Sequence, residues 1–569
     1  MNKVPIRIRT SGNQSGLLSK LFPWLSPLFL FFLGMWQFHN TEFYSNFDLV
    51  PGGRGDPRLV TALLEYFHQA LHGVGKIGSP AFYYPTQGTL GYADVFFSYA
   101  VLYDWLRQGG NDIFTSIQIC VFTADALNFI CCFLLLWRGF AFGAAASGLG
   151  AFLFAFNAPK FNQIGHVQLQ CLFWIPLVLW CLVEVAKQGR SMKPARAFGL
   201  LALAAVFLNL QLLSSFYGSW FFLFWGFLYL FLAFSIPSTR SFLKELILHH
   251  RLPVLAALAV FIVTLIPFLL VYLPVIHELG GKSYDEVKMM IPNLWAWLWM
   301  GPRHGLWGWF WDNFAGIRAL PVDGEERMGF GLVLPLVWLA LTWTAVGVLK
   351  KNMVKVNKNK IYVPFVSLAI LTTSLFILLA FQYPGDLSPW WLVYKIIPGA
   401  GSIRAVSRCA LVLALPMAIV LAHVCGVLLD KASGEKKPLK KMLIGGLTLL
   451  AAGFIVWEQV SFPPAPAFSK SWELNRLEYL SQKLPANSKV FYATVNSDLP
   501  YTATDIQIDS MLLSAVRGIP TLNGYSGQSP ANGSWWLFRV RSPKYEEYVR
   551  NWIELHQIKE NVFRLEIDK

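Results

Sequence analysis

Long apolar runs alternate with short polar connections along the chain from Phe22 to Val460. A helix that crosses a bilayer needs about 20 mostly apolar residues, and eleven runs meet this requirement. They lie at 22–38, 113–137, 139–158, 166–186, 197–214, 216–235, 252–274, 329–349, 361–381, 405–430 and 442–460. The pattern therefore predicts an all-α polytopic membrane bundle.

The positions of the basic residues indicate which side of the membrane each connection faces. Six segments hold 22 of the 47 Lys and Arg residues but only three acidic residues. These segments are 1–21, Arg138, 187–196, 236–251, 350–360 and 430–441. Because cytoplasmic loops carry an excess of Lys and Arg, we place all six inside. The N-terminus is then inside and, after an odd number of spans, the C-terminus is outside.

One apolar stretch, from Tyr92 to Leu106, is too short for a confident span and contains Asp94 and Asp104. A twelfth span here would invert every later loop and break the charge rule. We therefore expect a helix that lies at the outer membrane interface.

Three long stretches fall on the predicted outer side: 39–112, 275–328 and a tail at 461–569. We assign residues 1–460 to a transmembrane domain and the tail to a small soluble α/β domain, which begins near the proline-rich segment 463–466. Residue periodicity within the tail predicts secondary structure. The predicted helices are 472–484, 506–516 and 545–557, and the predicted strands are 489–494 and 562–567.

Composition supports a membrane protein, with 55% hydrophobic and only 14% charged residues and a mean hydropathy of +0.47. The net charge of +15 resembles that of a nucleic-acid-binding protein, but the six basic segments account for the excess. We therefore expect contacts with anionic membrane lipids and no nucleic-acid partner. All seven cysteines lie in apolar runs, which leaves no disulfide framework or cysteine metal site in the loops.

The first outer stretch carries the acids Asp48, Asp56 and Asp94 together with Arg58. The local sequence is Gly53-Arg54-Gly55-Asp56-Pro57-Arg58, in which glycine and proline shape the backbone around the acid. A carboxylate in such a position can serve as a general base. The simpler interpretation is a solvated loop, in which aspartate is ordinary.

Arg404 and Arg408 open the tenth apolar run. They are four residues apart, so they share one face of a helix. An arginine inside a span costs about 2.5–3.5 kcal/mol at the bilayer centre, and less near the edge. A phosphate at the helix N-terminus would offset this cost. Snorkelling to the lipid surface and a salt bridge to an acid are the alternatives.

Two further groups lie on the predicted outer side. Lys160 and His166 belong to the short turn 157–166, where they either contact substrate or lie at the interface. Trp307 and Trp309 belong to a tryptophan-rich part of the second outer stretch, beside Asp312. These rings either form an interfacial aromatic belt or stack on sugar rings.

A long acidic outer stretch after the first span, with Gly55-Asp56-Pro57-Arg58, some eleven spans and a C-terminal domain, resembles the GT-C glycosyltransferases. That family includes oligosaccharyltransferases, protein O-mannosyltransferases and lipid A aminoarabinose transferases. The resemblance, which is to its poorly characterised bacterial branch, implies an enzyme of the bacterial inner or plasma membrane. It would transfer a sugar, with inversion, from a polyprenyl-phosphate-linked donor to a glycan, lipid or protein acceptor on the outer face.

The resemblance also implies roles for individual residues. Asp56 would be the base, and Asp94 would orient the acceptor or bind a metal ion. Substrate and phosphate contacts would come from Arg58, Lys160, His166, Arg404 and Arg408. The adjacent paired acids of several GT-C families do not occur in the first outer stretch, which leaves the second acid and the metal open. A divalent cation, Mg²⁺ or Mn²⁺, would be held by Asp48, Asp56 or Asp94.

Two other functions stay open at this point. A transporter or flippase of lipid-linked saccharides needs polar groups near the middle of the membrane. Asp125, with Asn128, is the main candidate inside the apolar runs. A non-catalytic subunit of a glycan-assembly complex would use the tail as a binding module.

Overall fold

The computed structural model describes residues 17–311, 313–320, 324–352, 362–461, 466–495, 500–531 and 534–568. Asp312 and most of the proline-rich segment 463–466 lie outside these ranges. The first half of the chain forms α1 (Leu17–Tyr44), α2 (Asp56–Leu71), α3 (Phe97–Gln108), α4 (Ile113–Leu134), α5 (Ala144–Ala155), α6 (Ala158–Asn162), α7 (Val167–Gln170), α8 (Trp174–Gln188), α9 (Pro194–Ser214), α10 (Phe216–Ser235), α11 (Pro237–His249) and α12 (Arg251–Leu279).

The second half continues with short helices, four long ones and the helices of the tail. They are α13 (Tyr284–Lys288), α14 (Leu294–Leu298), α15 (Gly308–Trp311), α16 (Ala315–Arg318), α17 (Val333–Asn352), α18 (Tyr362–Leu379), α19 (Trp390–Ile396), α20 (Cys409–Gly434), α21 (Pro438–Trp457), α22 (Lys470–Lys483), α23 (Ala503–Arg517) and α24 (Tyr545–Leu555). The strands are β1 (Leu49–Pro51), β2 (Ala467–Ser469), β3 (Val490–Val495) and β4 (Val562–Ile567).

Within the described ranges, seven helical stretches are long and apolar enough to cross a membrane. They are Ile113–Gly139, Val167–Ser191, Pro194–Ser214, Phe216–Ser235, Arg251–Leu279, Val406–Gly434 and Pro438–Trp457. Each coincides with a predicted span, so the prediction of a multi-pass helical membrane protein is confirmed. The count of eleven spans and their orientation stay predictions.

The environments of two helices show where lipid and protein meet. In α12, only 6% of the most apolar stretch is buried, and Leu255, Val263 and Leu270 are more than half exposed. Such a surface suits a hydrocarbon solvent, where the helix satisfies its own backbone hydrogen bonds. In the stretch that contains α20, 72% of the corresponding residues are buried. The α20 helix therefore runs through the protein interior, while α12 lies at its periphery.

The doubtful stretch from Tyr92 to Leu106 forms one short helix, α3, of 12 residues. At 1.5 Å per residue, α3 is about 18 Å long, which is less than the roughly 30 Å of bilayer hydrocarbon. Its length is therefore too small for a span, and its place at the outer interface stays a prediction.

In the tail, each predicted helix and strand is present within a few residues, and β3 pairs in parallel with β4. The tail also pairs with the first outer stretch, because β1 and β2 form an antiparallel ladder from Leu49↔Ser469 to Pro51↔Ala467. Residues of α2, α3 and the tail helices belong to one hydrophobic cluster. The tail therefore shares its core with the first outer stretch.

Candidate active site

The first turn of α2 presents Asp56 at the helix start, where Pro57 follows it. A proline fits there because the first helical N–H groups have no intrahelical partner. A carboxylate in this turn also interacts favourably with the helix dipole. The side chain of Asp56 stays 29% exposed. The start of α2 thus holds a solvent-accessible acid in a fixed position.

A close backbone approach brings Asp56 to the turn that carries His166. Gly52 has a φ of +100°, and a Cβ atom on it would lie 2.6 Å from the Cα of Gly165. Only glycine tolerates both the positive φ and this contact. The Nδ1 atom of His166 lies 2.6 Å from Oδ2 of Asp56. Two glycines therefore allow the acid and the imidazole to meet.

A third element adds a carboxylate from the second outer stretch. The side chain of Gln163 donates a 3.1 Å hydrogen bond to the carbonyl of Gly324, which holds that loop against the His166 turn. Oε1 of the next residue, Glu325, lies 3.3 Å from Nε2 of His166. The imidazole therefore lies between two carboxylates, one at each ring nitrogen.

Arg408, which immediately precedes α20, completes the group. Its Nε donates to Oε2 of Glu325 at 2.9 Å and its Nη2 to Oε1 at 2.5 Å, a bidentate pair. Nη2 also lies 3.3 Å from Nε2 of His166, and the guanidinium lies 4.9 Å from the ring centroid of Tyr217. We call Asp56, His166, Glu325 and Arg408 the Asp56 cluster.

The protonation state of His166 decides the hydrogen bonds within this cluster. A neutral imidazole that donates from Nδ1 to Asp56 can accept from Arg408 at Nε2, whereas an imidazolium donates from Nε2 to Glu325. Burial lowers the pKa of His166, but the hydrogen bonds to Asp56 and Glu325 outweigh it and raise the pKa above 6.5. These two bonds favour the imidazolium form, which links both carboxylates.

Glu325 carries a negative charge throughout the accessible pH range. Burial raises the pKa of Glu325, but the charge of Arg408 and the hydrogen bond from His166 outweigh it and hold the pKa far below 4.5. Its two oxygens are both used by Arg408. Glu325 therefore fixes Arg408 and His166, while the more exposed Asp56 is the acid that a substrate can reach.

Asp94 lies near the cluster at the start of α10, where its Oδ1 accepts a 2.8 Å hydrogen bond from the backbone N–H of Phe216. Burial raises the pKa of Asp94 to about 6, although this hydrogen bond and the charge of Arg408 act in the opposite direction. Asp94 is therefore an acid that changes its charge near neutral pH.

Arg404 is exposed beside the cluster. Its backbone N–H donates to the hydroxyl of Tyr217 at 3.1 Å, so the ring that flanks Arg408 also holds the Arg404 segment. Burial and the charge of Asp56 raise the pKa of Tyr525, and Arg404 lowers it. The Tyr525 hydroxyl, in the tail, therefore lies within electrostatic reach of both the acid and the arginine.

A second cation, Lys282, lies close to Arg404. Its backbone N–H donates to the carbonyl of Gly401 at 2.8 Å, and its Nζ donates to Oε1 of Gln528 at 3.2 Å. Both Lys282 and Arg404 lower the pKa of Glu286, whose main stabilising contact is the Ser283 backbone. The tail, the second outer stretch and the Arg404 segment thus meet around Lys282.

Two predicted site residues in the first outer stretch lie elsewhere and serve to bind the tail. Arg58 is fully buried and pairs with Asp509 and, at 3.1 Å, with Glu473. The two oxygens of Asp48 accept hydrogen bonds from the Ser471 N–H and the Ser469 hydroxyl. The expectation that Arg58 contacts substrate does not agree with this burial. Arg58 lies two residues after Asp56 on α2, so its side chain leaves the helix on a different face and meets the tail.

Lys160 also lies away from the cluster. Its ammonium is 1% exposed, pairs with Asp125 and donates to the carbonyl of Ala155 at 3.1 Å. Asp125 also lies 3.3 Å from Nε2 of His39. A buried amine in this setting stabilises the contact between α4 and α6, and the predicted phosphate contact of Lys160 has no support from its position.

The two tryptophans differ in environment. Trp307 donates a 3.0 Å hydrogen bond to Oε1 of Glu458, a buried carboxylate that also accepts from the N–H groups of Leu332 and Val333. Trp309 is 71% exposed and donates to the carbonyl of Leu306. Trp307 is therefore held by the bundle, while Trp309 presents its ring to the surroundings.

The sequence analysis missed Glu325, Tyr217 and Lys282. The adjacent acids Glu325-Glu326 occur just before the predicted span 329–349. Tyr217 is the second residue of the apolar helix α10, and Lys282 is one of many outer-loop cations. Neither of those two carries a sequence signal.

The acids predicted as metal ligands do not fit a shared cation. The oxygens of Asp48 are used by Ser469 and Ser471, and Asp94 accepts from a backbone amide. Asp56 and Glu325 lie at opposite nitrogens of the His166 ring. Within the described part of the chain, the one set of three ligands that converges is elsewhere, at His68, His72 and Asp104.

Comparisons with known proteins identify the fold. No family model matches the chain, and no curated protein matches it. Among solved structures, it is similar to the Archaeoglobus fulgidus oligosaccharyltransferase tethered with an acceptor peptide containing the NVT sequon. The TM-score is 0.50 at 15% identity, over 95% of this chain and 68% of that one. A structure of the same enzyme in complex with Zn and sulfate gives a TM-score of 0.45 at 14% identity, over 90% of this chain and 64% of that one.

Apo ArnT from Cupriavidus metallidurans has a TM-score of 0.35 at 13% identity, over 88% of this chain and 85% of that one. ArnT bound to undecaprenyl phosphate has a TM-score of 0.34 at 12% identity, over 89% of this chain and 90% of that one. The oligosaccharyltransferase and ArnT are polytopic membrane glycosyltransferases of the GT-C fold. The likeness to the oligosaccharyltransferase extends over almost the whole chain. The protein therefore has the GT-C fold, as the resemblance in the sequence implied.

Proposed function

We propose that this protein is a membrane glycosyltransferase. It transfers a sugar from a polyprenyl-phosphate-linked donor to an acceptor on the predicted outer face, with inversion at the anomeric carbon. The observation that carries the proposal is the Asp56 cluster in a GT-C fold: an accessible carboxylate, fixed by His166, beside the exposed cation Arg404.

Asp56 acts as the general base in this mechanism. Its Oδ2 is bound to His166, and Oδ1 takes no hydrogen bond from the residues that the structure describes, so Oδ1 can receive the acceptor proton. As the proton moves to Asp56, the acceptor atom attacks the anomeric carbon. The bond from that carbon to the phosphate oxygen breaks, and the phosphate takes the electron pair. One displacement inverts the configuration.

The leaving phosphate needs positive charge, which preorganised cations supply best. Arg404 is exposed, and Lys282 lies close to it. Arg408 is buried, and its charge is paired with Glu325 through Nε and Nη2. We therefore assign phosphate binding to Arg404 and Lys282, and the fixing of the His166 ring to Arg408 and Glu325.

Asp94 is the second acid of the mechanism. With its pKa raised to about 6 by burial, Asp94 is mostly ionised at neutral pH and can accept a hydrogen bond from the acceptor. Trp309 supplies an exposed ring for a sugar. The acceptor is a glycan, a lipid or a protein; in the Archaeoglobus fulgidus enzyme of the same fold it is a peptide.

A membrane enzyme suits a polyprenyl donor for a physical reason. Each buried CH₂ group contributes about 0.8 kcal/mol to membrane binding, so a long polyprenyl chain stays in the bilayer. The exposed apolar surface of α12 suits a surrounding of lipid hydrocarbon. The donor can then reach the cluster laterally, while the acceptor arrives from the aqueous side.

The transporter hypothesis has less support. It requires polar groups that can bind a substrate within the bundle. Asp125 is instead paired with Lys160 and His39. Asn209 donates to Thr264 at 2.6 Å. These groups stabilise helix contacts, and the tail, which could serve a non-catalytic subunit, is bound to the first outer stretch.

The test is transfer by the purified protein from a panel of polyprenyl-phosphate sugars, with Asp56→Asn beside the wild type. We expect Asp56→Asn to bind the donor with unchanged affinity and to lose transfer, because the amide cannot take the acceptor proton. Asp285→Asn is the matched control, since Asp285 is exposed in the second outer stretch. Full transfer by Asp56→Asn would exclude Asp56 as the base.

The rival functions give different results in the same preparation. A flippase moves lipid-linked saccharide across sealed vesicles without any transfer, and Asp125→Asn then abolishes movement. A non-catalytic subunit shows neither activity. Donor binding that is lost in Arg404→Ala but kept in Lys395→Ala, an exposed cation nearby in sequence, supports the assignment of Arg404 to the phosphate.

A further inference from the structure

A second group of metal-binding side chains lies on the first outer stretch, apart from the Asp56 cluster. One ligand atom each from His68, His72 and Asp104 lies within 4.8 Å of the other two. Nδ1 of His68 is 2.7 Å from Oδ1 of Asp104, and Nε2 of His72 is 3.2 Å from the same oxygen. Three side chains of types that bind transition metals therefore converge on one point.

The secondary structure accounts for this convergence. His68 and His72 are four residues apart near the end of α2, so they lie on one face of the helix. Two histidines with this spacing on a helix are a known arrangement for binding Zn²⁺. Asp104 faces them from α3, and Nε2 of Gln108 donates to its Oδ2 at 2.7 Å. A hydrogen bond to the second oxygen orients a carboxylate ligand.

We propose that His68, His72 and Asp104 bind a divalent transition-metal ion of the Zn²⁺ type. Two imidazoles and one carboxylate are a usual set of protein ligands for Zn²⁺. The fourth position of a tetrahedral ion would then be open to water, because His72 is 47% exposed. An ion pair between His68 and Asp104 alone does not account for the position of the second histidine, His72, which is exposed. This site goes beyond the proposed transfer reaction and does not depend on it.

The site is separate from the Asp56 cluster. Both are on α2, but Asp56 begins the helix and His68 lies twelve residues further on, about 18 Å away at 1.5 Å per residue. The metal ion would join α2 to α3 next to the pair that Arg107 forms with Glu65 at 2.9 Å. It would therefore stabilise the packing of α2, which begins with Asp56, against α3, which follows Asp94 in the chain.

The test uses the full chain in detergent, purified through a tag without histidine, and titrated with Co²⁺ as a spectroscopic substitute for Zn²⁺. We expect visible ligand-field absorption that saturates at one equivalent. Because all seven cysteines are buried in the apolar bundle, no thiolate charge-transfer band should accompany it. Zn²⁺ should displace the Co²⁺ and abolish the absorption.

Two variants at the site and one control decide the result. His72→Ala and Asp104→Asn should each weaken binding by about 100-fold or more, since loss of even a second-shell partner costs 10–100-fold. His277→Ala, an exposed histidine at the end of α12, should bind Co²⁺ like the wild type. The proposal is overturned if the wild type shows no saturable absorption, or if His72→Ala and the wild type titrate identically.

A thermal readout guards against misfolded variants. A metal ion that binds the folded chain raises its unfolding temperature by mass action. Zn²⁺ should therefore raise the Tm of the wild type and of His277→Ala, but not that of His72→Ala. A variant that has the wild-type Tm without metal and no response to Zn²⁺ has lost the site alone. An equal response in all three proteins contradicts the proposal.

Discussion

Asp56 and Arg58 are two residues apart on the first turn of α2, yet they belong to opposite kinds of charged site. Asp56 faces the bundle and remains 29% exposed, with His166 as its partner. Arg58 faces the tail and is fully buried between Asp509 and Glu473. Because α-helices have 3.6 residues per turn, two positions separate side chains by about 200°. The same helix turn therefore serves chemistry on one side and attachment on the other.

The difference lies in how far each charge is satisfied. We call Arg54, Arg58, Arg476, Glu473, Asp505 and Asp509 the Arg58 network; every member pairs within the set. In the Asp56 cluster, Glu325 and Arg408 satisfy each other, but Asp56 keeps a free oxygen toward the solvent. A network of mutually paired and mostly buried charges specifies a contact, whereas an accessible carboxylate with an unpaired oxygen can act on a substrate.

The largest predicted effect is that of Asp56→Asn on catalysis. A general base contributes about 10²–10⁴-fold to a rate, so we expect the transfer rate to fall by that factor. The unfolding free energy should change little, because the amide still accepts from His166 and Asp56 is partly exposed. Initial rates and chemical denaturation in the same detergent measure both quantities. A parallel loss of stability would contradict the assignment of Asp56 to catalysis and of Arg58 to attachment of the tail.

Arg58→Ala should give the reverse pattern. Removal of one partner from a buried ion pair costs about 3–5 kcal/mol, because the remaining carboxylates stay buried without their counter-charge. We expect the tail to detach from the first outer stretch at lower denaturant or temperature. Limited proteolysis of the tail, with Asp285→Asn as the control, reports this detachment. Transfer per folded molecule should stay within severalfold of the wild type.

These two residues also show what the sequence could predict. Local periodicity sufficed for the confirmed spans and for the helices and strands of the tail, and the strand predicted at 562–567 coincides with β4, but it did not predict α2, which carries both residues. Asp56, His166 and Arg408, which were selected from three separate stretches, meet in the structure, and their role as site residues stays a prediction. Local patterns depend on neighbours along the chain, which is why the spans and the tail elements were the part that the sequence could predict.

Partner choice, by contrast, depends on contacts that no local pattern encodes. Arg58 and Asp509 are 451 residues apart in sequence, and Arg408 and Glu325 are 83 apart. Glu325 lies in a loop without periodicity, and its role follows only from the hydrogen bond of Gln163 to Gly324. This is why Arg58 and Lys160 were expected to bind substrate, and why Glu325 was missed.

Glu325→Gln should have an intermediate effect, on pH dependence. The wild-type pKa of His166 is raised above 6.5, so protonated His166 stabilises the fold below pH 6.5 and this contribution is lost as pH rises through the folded-state pKa. Without the Glu325 charge, we expect the pKa of His166 to fall. Because the imidazolium holds Asp56 in place, the transfer rate should decrease as His166 loses its proton, and this alkaline limb should move to lower pH in the variant. An unchanged limb would show that His166 does not titrate in the mechanism.

Asp94→Asn should have the smallest effect of the four variants, about a tenfold loss of rate at neutral pH, and its pH profile should be the most diagnostic. Burial raises the pKa of Asp94 from 3.8 to about 6. The wild-type rate should therefore fall about tenfold between pH 7 and pH 5 as this acid protonates.

In Asp94→Asn, the acid limb should be absent and the rate should stay low and flat. A raised pKa also means that the stability from protonated Asp94 is fully present below pH 3.8 and is lost as pH rises through about 6. At pH 8 the uncharged amide should therefore make the variant slightly more stable than the wild type, as thermal unfolding measures. A variant that keeps the wild-type acid limb would place the titration on another group, and Asp94 would then belong with Arg58 among the residues that hold the fold.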